Sequence, residues 1–359
     1  MSMEEFAAGK SIPVALKDVE KSIPTMWRKL AEAAKEKGAK TAITRACLWN
    51  LIVRTPGGKT FDESKQLIDT ISNSVPARVI VLDAQPGAPT APIQAWIEAN
   101  WHSGGGGAHQ IGSEELTFKA SGETVADLAS VVRALLIGDV PVAALWHGLA
   151  PGNDALDHDM LAAATRVVIG IDGAEETMRA VSSLLEGGRL RPGTGLTSLA
   201  WLRSAHWRQL VAALFDPPSE AGDAGKVSEV RVVCGADHVN AALLLIGWFA
   251  ARLGWKAGKA VDRAAHSYAF TGPGGAVKAA IDVGGTSEDI FTRVEVTTPD
   301  GRSSVSRIGA SVIIETPTTA RKQPRHIPGD AELWLAALGA RGHDPLFIEA
   351  LRGAAALVR

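Results

Sequence analysis

Near the start of this chain, two apolar β-rich runs bracket a segment of helical period, and no other feature limits the fold so tightly. Thr41 to Thr55 ends in Pro56-Gly57-Gly58 and reads as a buried strand. Asp62 caps a helix through Ser72 that turns Leu67, Ile68 and Ile71 to one side. Ala77 to Asp83 is a second strand. Strand, helix and strand with short connections make a βαβ unit, so part of the sheet is parallel and covered by helices. The class is α/β, with an N-terminal mixed or parallel sheet and flanking helices.

The alternation continues along the chain. Helices are expected over Met26 to Lys37, Asp127 to Ile137 and Glu175 to Leu185, and strands over Glu115 to Ala120, Val140 to Trp146 and Arg166 to Ile171. Ala84 to Gly112 reads as a Pro- and Gly-rich loop, apart from the surroundings of Trp96 and Trp101, with Gly104 to Gly107 as a flexible linker. Residues 199 to 218 form one helix, capped by Ser198 or Thr197 and stopped by Pro217-Pro218. Its stripe is Leu199, Leu202, Leu210 and Leu214, widened by Trp207, Val211 and Phe215, with Arg203, His206 and Arg208 on the polar side. The polar stretch Ser219 to Lys226 sets a boundary between an N-terminal α/β domain, 1–218, and a C-terminal α+β domain, 219–359. In the latter, Val230 to Cys234 and Ala236 to Leu253 are strand and helix. Lys278 to Val283, Phe291 to Thr297 and Val305 to Glu315 then read as an antiparallel meander, before a final helix opened by Asp330.

Composition narrows the function. A net charge of −2 gives no bulk attraction for nucleic acid or acidic lipid. No apolar run reaches the length of a membrane span and no signal peptide is recognisable, so the expected location is the cytoplasm. The two cysteines, Cys47 and Cys234, lie in apolar runs and read as free buried thiols. Ten Trp stand against one Tyr, a usage that suits packing and interface anchoring.

The search for chemistry returns little. Asp282-Val283-Gly284-Gly285-Thr286 resembles the first phosphate turn of actin-like sugar kinases, but a plain hairpin turn needs the same glycines, and no second phosphate motif follows. Gly188 to Gly195 has Thr194 where a phosphate loop needs Lys. Arg189 and Arg191 in that loop feed the Trp201 helix and are candidates for an anion such as a sugar phosphate; the basic loop Arg321 to His326 is another. Asp154, Asp157 and Asp159 around His158 read as a solvated acidic loop. There is no metal-ligand spacing, no nucleophile elbow and no call for a cofactor.

Six blocks in order resemble the glucose-6-phosphate dehydrogenase assembly protein family, OpcA. They are Thr44 to Val53 (TRACLWNLIV), Val75 to Leu82 (VPARVIVL), Ser113 to Thr117, Asp139 to Val142 leading to Leu145-Trp146, the Trp201 to Pro218 helix, and Leu243 to Trp248 with Arg252 to Trp255. The resemblance implies a non-enzymatic protein that binds glucose-6-phosphate dehydrogenase, favours its active oligomer as an allosteric activator, and so supports NADPH production in the oxidative pentose phosphate pathway. Cyanobacterial members of that family are linked to redox control through cysteines; here Gly112-Ser113 stands where such a cysteine is expected. Surplus Trp and Arg without a catalytic constellation agrees with a binding role. Trp201, Arg203, Trp207 and Arg208 are expected to form or directly support the partner surface, with Arg45, Asn50 and Arg78 next.

Overall fold

The computed structural model describes residues 11–36, 43–72, 74–103, 110–170, 175–216, 223–262, 265–284, 290–340 and 342–358. The tetraglycine linker, the Pro217-Pro218 stop, residues 219–222 of the linker and Gly285-Thr286 lie outside them. The chain is mixed α/β and divides into two compact units. One holds Met1–Gly170, Arg189–Leu196 and Asp330–Gly342; the other holds Ile171–Gly188, Thr197–Gly329 and His343–Arg359.

The chain opens with β1 (Ile12–Val14), α1 (Val19–Glu36), β2 (Ile43–Arg45), β3 (Trp49–Thr55), α2 (Lys59–Ser72) and β4 (Ala77–Gln85). It continues with β5 (Ala91–Ser103), β6 (Gln110–Ser121), α3 (Leu128–Leu135), β7 (Val142–His147), α4 (Ala155–Ala163) and β8 (Arg166–Gly170). Next come α5 (Glu175–Glu186), β9 (Gly195–Ser198), α6 (Leu199–Arg203), α7 (Ala205–Ala212), β10 (Glu229–Cys234) and α8 (Val239–Leu253). The strands β11 (Lys256–Asp262), β12 (Ser267–Gly272), β13 (Gly275–Val283), β14 (Arg293–Thr298), β15 (Gly301–Ile308), β16 (Ser311–Glu315) and β17 (Ala320–Pro324) follow, then α9 (Asp330–Gly339) and α10 (Pro345–Val358).

The first unit is built on a sheet of order β1-β5-β6-β4-β3-β7-β8-β9, with β2 also paired to β6. β3 and β4 are parallel, in register Leu51 to Val79 through Thr55 to Asp83, as the βαβ pattern predicts. β7 and β8 extend the parallel part on the other side of β3. Leu51, Ile52, Val53, Val79, Ile80, Val81 and Leu82 are wholly buried, the continuous apolar run of strands covered on both faces.

The second unit carries a sheet of order β11-β12-β13-β10-β14-β15-β16-β17. Helix α8 packs on β10 and β13 and also crosses α10. That crossing is close because two glycines meet: a Cβ on Gly247 would overlap the Ala350 carbonyl oxygen and lie 2.6 Å from the Ala354 nitrogen, and one on Gly353 would lie 2.8 Å from the Gly247 oxygen.

Several elements differ from the sequence-based expectation. The run 41–55 holds two strands: β2 joins β6 while β3 lies between β4 and β7. The supposed loop 84–112 contains the 13-residue β5, antiparallel to β6. Asp154 does not sit in a loop but caps α4, accepting from the Asp157 nitrogen. The helix over 199–218 is broken at Ser204 into α6 and α7. The meander begins only at β14, because β10 inserts between β13 and β14 and runs parallel to β13. The chain after Asp282 therefore does not turn within a hairpin.

Candidate functional site

Of the residues singled out from the sequence, Arg45, Asn50 and Arg78 gather in the first unit, where β3, β4 and β7 begin. β4 and β6 lie side by side with Arg78 opposite Glu114. The buried Glu114 carboxylate accepts from Arg78 Nε at 2.5 Å, Arg45 Nη2 at 2.8 Å and Trp27 Nε1 at 2.9 Å. Three donors on one carboxylate form a charge-assisted knot that ties α1, β2, β4 and β6 together. Arg78 Nη1 also donates to the Leu135 oxygen at 2.5 Å. Asn50, wholly buried, donates from Nδ2 to the Ile137 and Val140 oxygens at 3.0 and 3.1 Å and accepts from the Ile137 nitrogen at 2.9 Å. Asn50 and Arg78 thus staple the segment after α3 to the strand ends. The outward parts of this cluster are the Arg45 side chain, 41% exposed, and Leu48, 59% exposed. Between them, half-buried Cys47 donates to the Trp49 oxygen at 3.2 Å, and burial pushes its thiol pKa up.

A second buried knot lies toward the carboxyl ends of β3 and β7. Arg54 binds Asp154 with two bonds, Nη1 to Oδ1 at 2.9 Å and Nη2 to Oδ2 at 2.6 Å, and also pairs with Asp157. Trp146 Nε1 donates to Asp157 at 2.6 Å, and the Gly152 nitrogen donates to the same carboxylate. Asp154 and Asp157 are therefore the counter-ions of a buried guanidinium and not members of a solvated loop, while Asp159 pairs with exposed Arg133. Burial works against ionisation of Asp154, but hydrogen bonds from Arg54 outweigh it and hold the carboxyl below its ordinary pKa. Sequence reasoning missed Arg54, although a lone Arg inside an apolar strand signals a buried partner. The anion candidates Arg189 and Arg191 donate to the Gly152 and Ala162 oxygens, the latter at 3.1 Å.

Helix α2 covers a further charged group that the sequence did not reveal. Lys65 Nζ lies 2.6 Å from Glu115 and 3.1 Å from Glu98, residues that face one another across β5 and β6. Oxygens of Asp69, Glu98 and Glu115 lie within 4.8 Å of one another, a spacing able to hold a cation, and the Lys65 ammonium already occupies that role. Burial raises the Glu115 pKa, opposed by Lys65.

In the second unit Ser198 accepts from the Trp201 nitrogen and starts α6. Trp201 is 1% exposed. Its Nε1 donates to Asp344 Oδ2 at 2.7 Å, and its ring packs 5.7 Å from Phe347. The Arg208 guanidinium lies 3.3 Å from the Trp201 ring centroid and donates to the Trp201 oxygen at 2.7 Å and to Ser204 Oγ at 2.5 Å. Burial pulls the Arg208 pKa down to about 10, against the pull of Asp344. Trp207 is buried edge-on against Phe291, with centroids 5.6 Å apart. Arg203 is half-buried. The two indoles and Arg208 therefore stand behind the surface instead of on it. Asp282 of the kinase-like turn pairs with Arg231 at 2.9 Å.

Family comparison covers both units. Residues 68–186 match the glucose-6-phosphate dehydrogenase subunit N-terminal domain, and residues 194–351 match the C-terminal domain of the same subunit. An OpcA protein of Synechocystis sp., named for the OxPP cycle, is 25% identical over 203 residues, covering 54% of this chain and 40% of the relative. That of Nostoc punctiforme is 25% identical over 199 residues, covering 54% and 41%. The matched region spans about two fifths of the length of these relatives. Among solved structures, a 3-ketoreductase from Actinomadura kijaniata has 14% identity and a TM-score of 0.45 over 87% of this chain and 96% of its own. Likeness at that level assigns no chemistry.

Proposed function

We propose, because this chain belongs to the OpcA family of glucose-6-phosphate dehydrogenase assembly proteins, that it is a non-catalytic partner which binds the dehydrogenase and favours its active oligomer. The match of both domain models along the chain carries this reading. The geometry supports it as well: the conspicuous arginines are anchored to carboxylates or carbonyls, the pattern of a rigid platform for binding. On this reading the contact is made by the rim of the Glu114 cluster, where exposed Leu48 stands beside Arg45, with Arg78, Asn50 and Trp27 holding that rim in shape. Trp201, Trp207 and Arg208 give the corresponding support in the second unit, together with half-buried Arg203.

The mechanism is a population shift. A partner with higher affinity for the active form moves the balance by its differential affinity alone, and tenfold activation needs about 1.4 kcal/mol of preference. A few interface contacts supply that. More NADPH is then formed at a given enzyme concentration, in the cytoplasm.

The test is co-elution with the dehydrogenase of the same organism, with NADPH formation measured across a titration. Complex formation, together with changed substrate dependence, supports the reading, and Leu48→Glu is expected to weaken both without lowering the melting temperature. If the enzyme's elution and kinetics are unaltered at saturating chain, the reading fails.

A further inference from the structure

The outer face of the second sheet has an unusual design. The inward side chains of its strands are apolar and packed: Val230, Val232, Ile281, Val294, Val296 and Val305 are all at most 2% exposed. The opposite face is a charged carpet. Glu229, Asp282 and Glu295 alternate with Arg231, Arg293 and Arg302 around a shallow trough of about 430 Å³. The ion pairs recorded among these groups lie within the face itself: Arg231 with Asp282 and Arg302 with Glu295 cross between strands, and Arg231 with Glu229 and Arg293 with Glu295 run along one strand. The four exposed members keep 44–64% of their side-chain surface open.

Three features separate this face from an ordinary solvated one. The trough at its centre is neutral, three acids against three bases, and Lys278 and Glu315 beside it offset one another, so a copy of the same face does not repel it there. Several cross-strand neighbours of these charges are small: Ala280 opposite Arg231, Ser304 opposite Glu295 and Ser306 opposite Arg293. Small side chains let two sheets approach to about 10 Å. The charges are also placed for two-fold symmetry. β10 and β14 are the fourth and fifth strands of eight, and Arg231 lies directly opposite Glu295. An axis running between those two strands brings each copy's Arg231 over the Glu295 of the other copy, twice.

We propose that this face is the interface of a homodimer, formed by two copies of the chain stacked sheet to sheet about the β10–β14 line. The size is adequate. Eight strands about 4.8 Å apart, each giving about five residues of about 3.3 Å, project to about 600 Å². Side-chain relief brings that toward the ~800 Å² per partner of a standard interface. The inference is independent of the dehydrogenase reading and uses a face of the second sheet that the reading does not invoke.

Sedimentation velocity of the full chain tests it. The native chain is expected to sediment at twice 37.6 kDa. Arg231→Glu and Glu295→Arg, each shown folded by circular dichroism, are each expected to sediment as monomers. An equimolar mixture of the two is expected to recover the dimer, because a mixed pair has opposite charges at both contacts. Ser306→Arg, which leaves every ion pair in place, is expected to block dimerisation by bulk and keeps the test valid where charge reversal prevents folding. A native chain that stays monomeric across a hundredfold concentration range overturns the proposal. So do variants that remain dimeric, or monomeric variants that do not complement one another. A monomeric native chain whose variants lose the dehydrogenase would instead assign the face to that partner.

Discussion

Replacing Glu114 by Gln tests whether the arginine cluster is an internal anchor or a contact surface. The carboxylate is 3% exposed and Arg78 11%, so their pair is withdrawn from water, whereas Arg45 is 41% exposed. Glu114→Gln keeps the shape but leaves two guanidiniums facing a neutral amide that must turn its NH2 away from them. Removing one member of a buried ion pair costs about 3 kcal/mol or more. For a unit of this size, each kcal/mol moves the melting temperature by about 3 °C, so a fall of about 9 °C is expected. Arg45→Ala removes only an exposed partner, costs about 0–1 kcal/mol and moves the transition by less than about 3 °C. Thermal unfolding followed by far-ultraviolet circular dichroism reads both. Two equally mild variants would refute the argument, since the Glu114 charge would then be solvated and not structural. Below both transitions, Glu114→Gln should still act on the dehydrogenase if its role is to position Arg45 and Leu48.

Other expectations are narrower. Gly247→Ala drives a methyl into the α10 backbone and should cost about 1–3 kcal/mol, read as an earlier melt; Gly339→Ala, with no atom within 4 Å of the new carbon, should be neutral or slightly stabilising. Cys234 is wholly buried and its pKa is pushed up to about 11, so a thiol reagent near neutral pH should modify Cys47 slowly and Cys234 only after denaturation; equal rates would contradict the packing. The lowered pKa of Asp154 means that its contribution to stability is present above about pH 4 and is lost as pH falls through the folded value. Asp154→Asn should therefore flatten the acid limb of a stability–pH curve; an unchanged limb would count against the Arg54 pairing. Trp201→Phe removes the bond to Asp344 and should lower the denaturant midpoint without altering the slope.

The parallel core was legible in the sequence because its signal is local. Runs such as Leu51-Ile52-Val53 and Val79 to Leu82 bracket a helix with proper caps, and nothing distant is needed to read them. β5 was not legible: Pro86, Pro89 and Pro92 mark its entry as loop, and only its pairing with β6 makes Ala95, Ile97 and Ala99 a buried row. The break at Ser204 was hidden because its cause is a side chain turned back to the Trp201 oxygen. Half of the candidate site could be listed from residue type, as with Arg45, Asn50 and Arg78. Its connections could not: Arg54 and Asp154 are 100 positions apart, and Lys65 and Glu115 are 50 apart. Residue type marked Trp201 and Trp207 as forming or supporting a partner surface, but their enclosure by Asp344, Phe347 and Phe291 was not legible.

The two compact units exchange chain more than once, and this bears on how the molecule is made. Helix α9, in the first unit, packs on α2 roughly 260 residues upstream, while α10 completes the second by lying on α5 and α8. A ribosome delivering this polypeptide from its amino end leaves both cores open until α9 and α10 emerge. A premature stop codon near residue 329 would then cripple both halves together, and nascent chains would need shelter from aggregation until those two helices have been made.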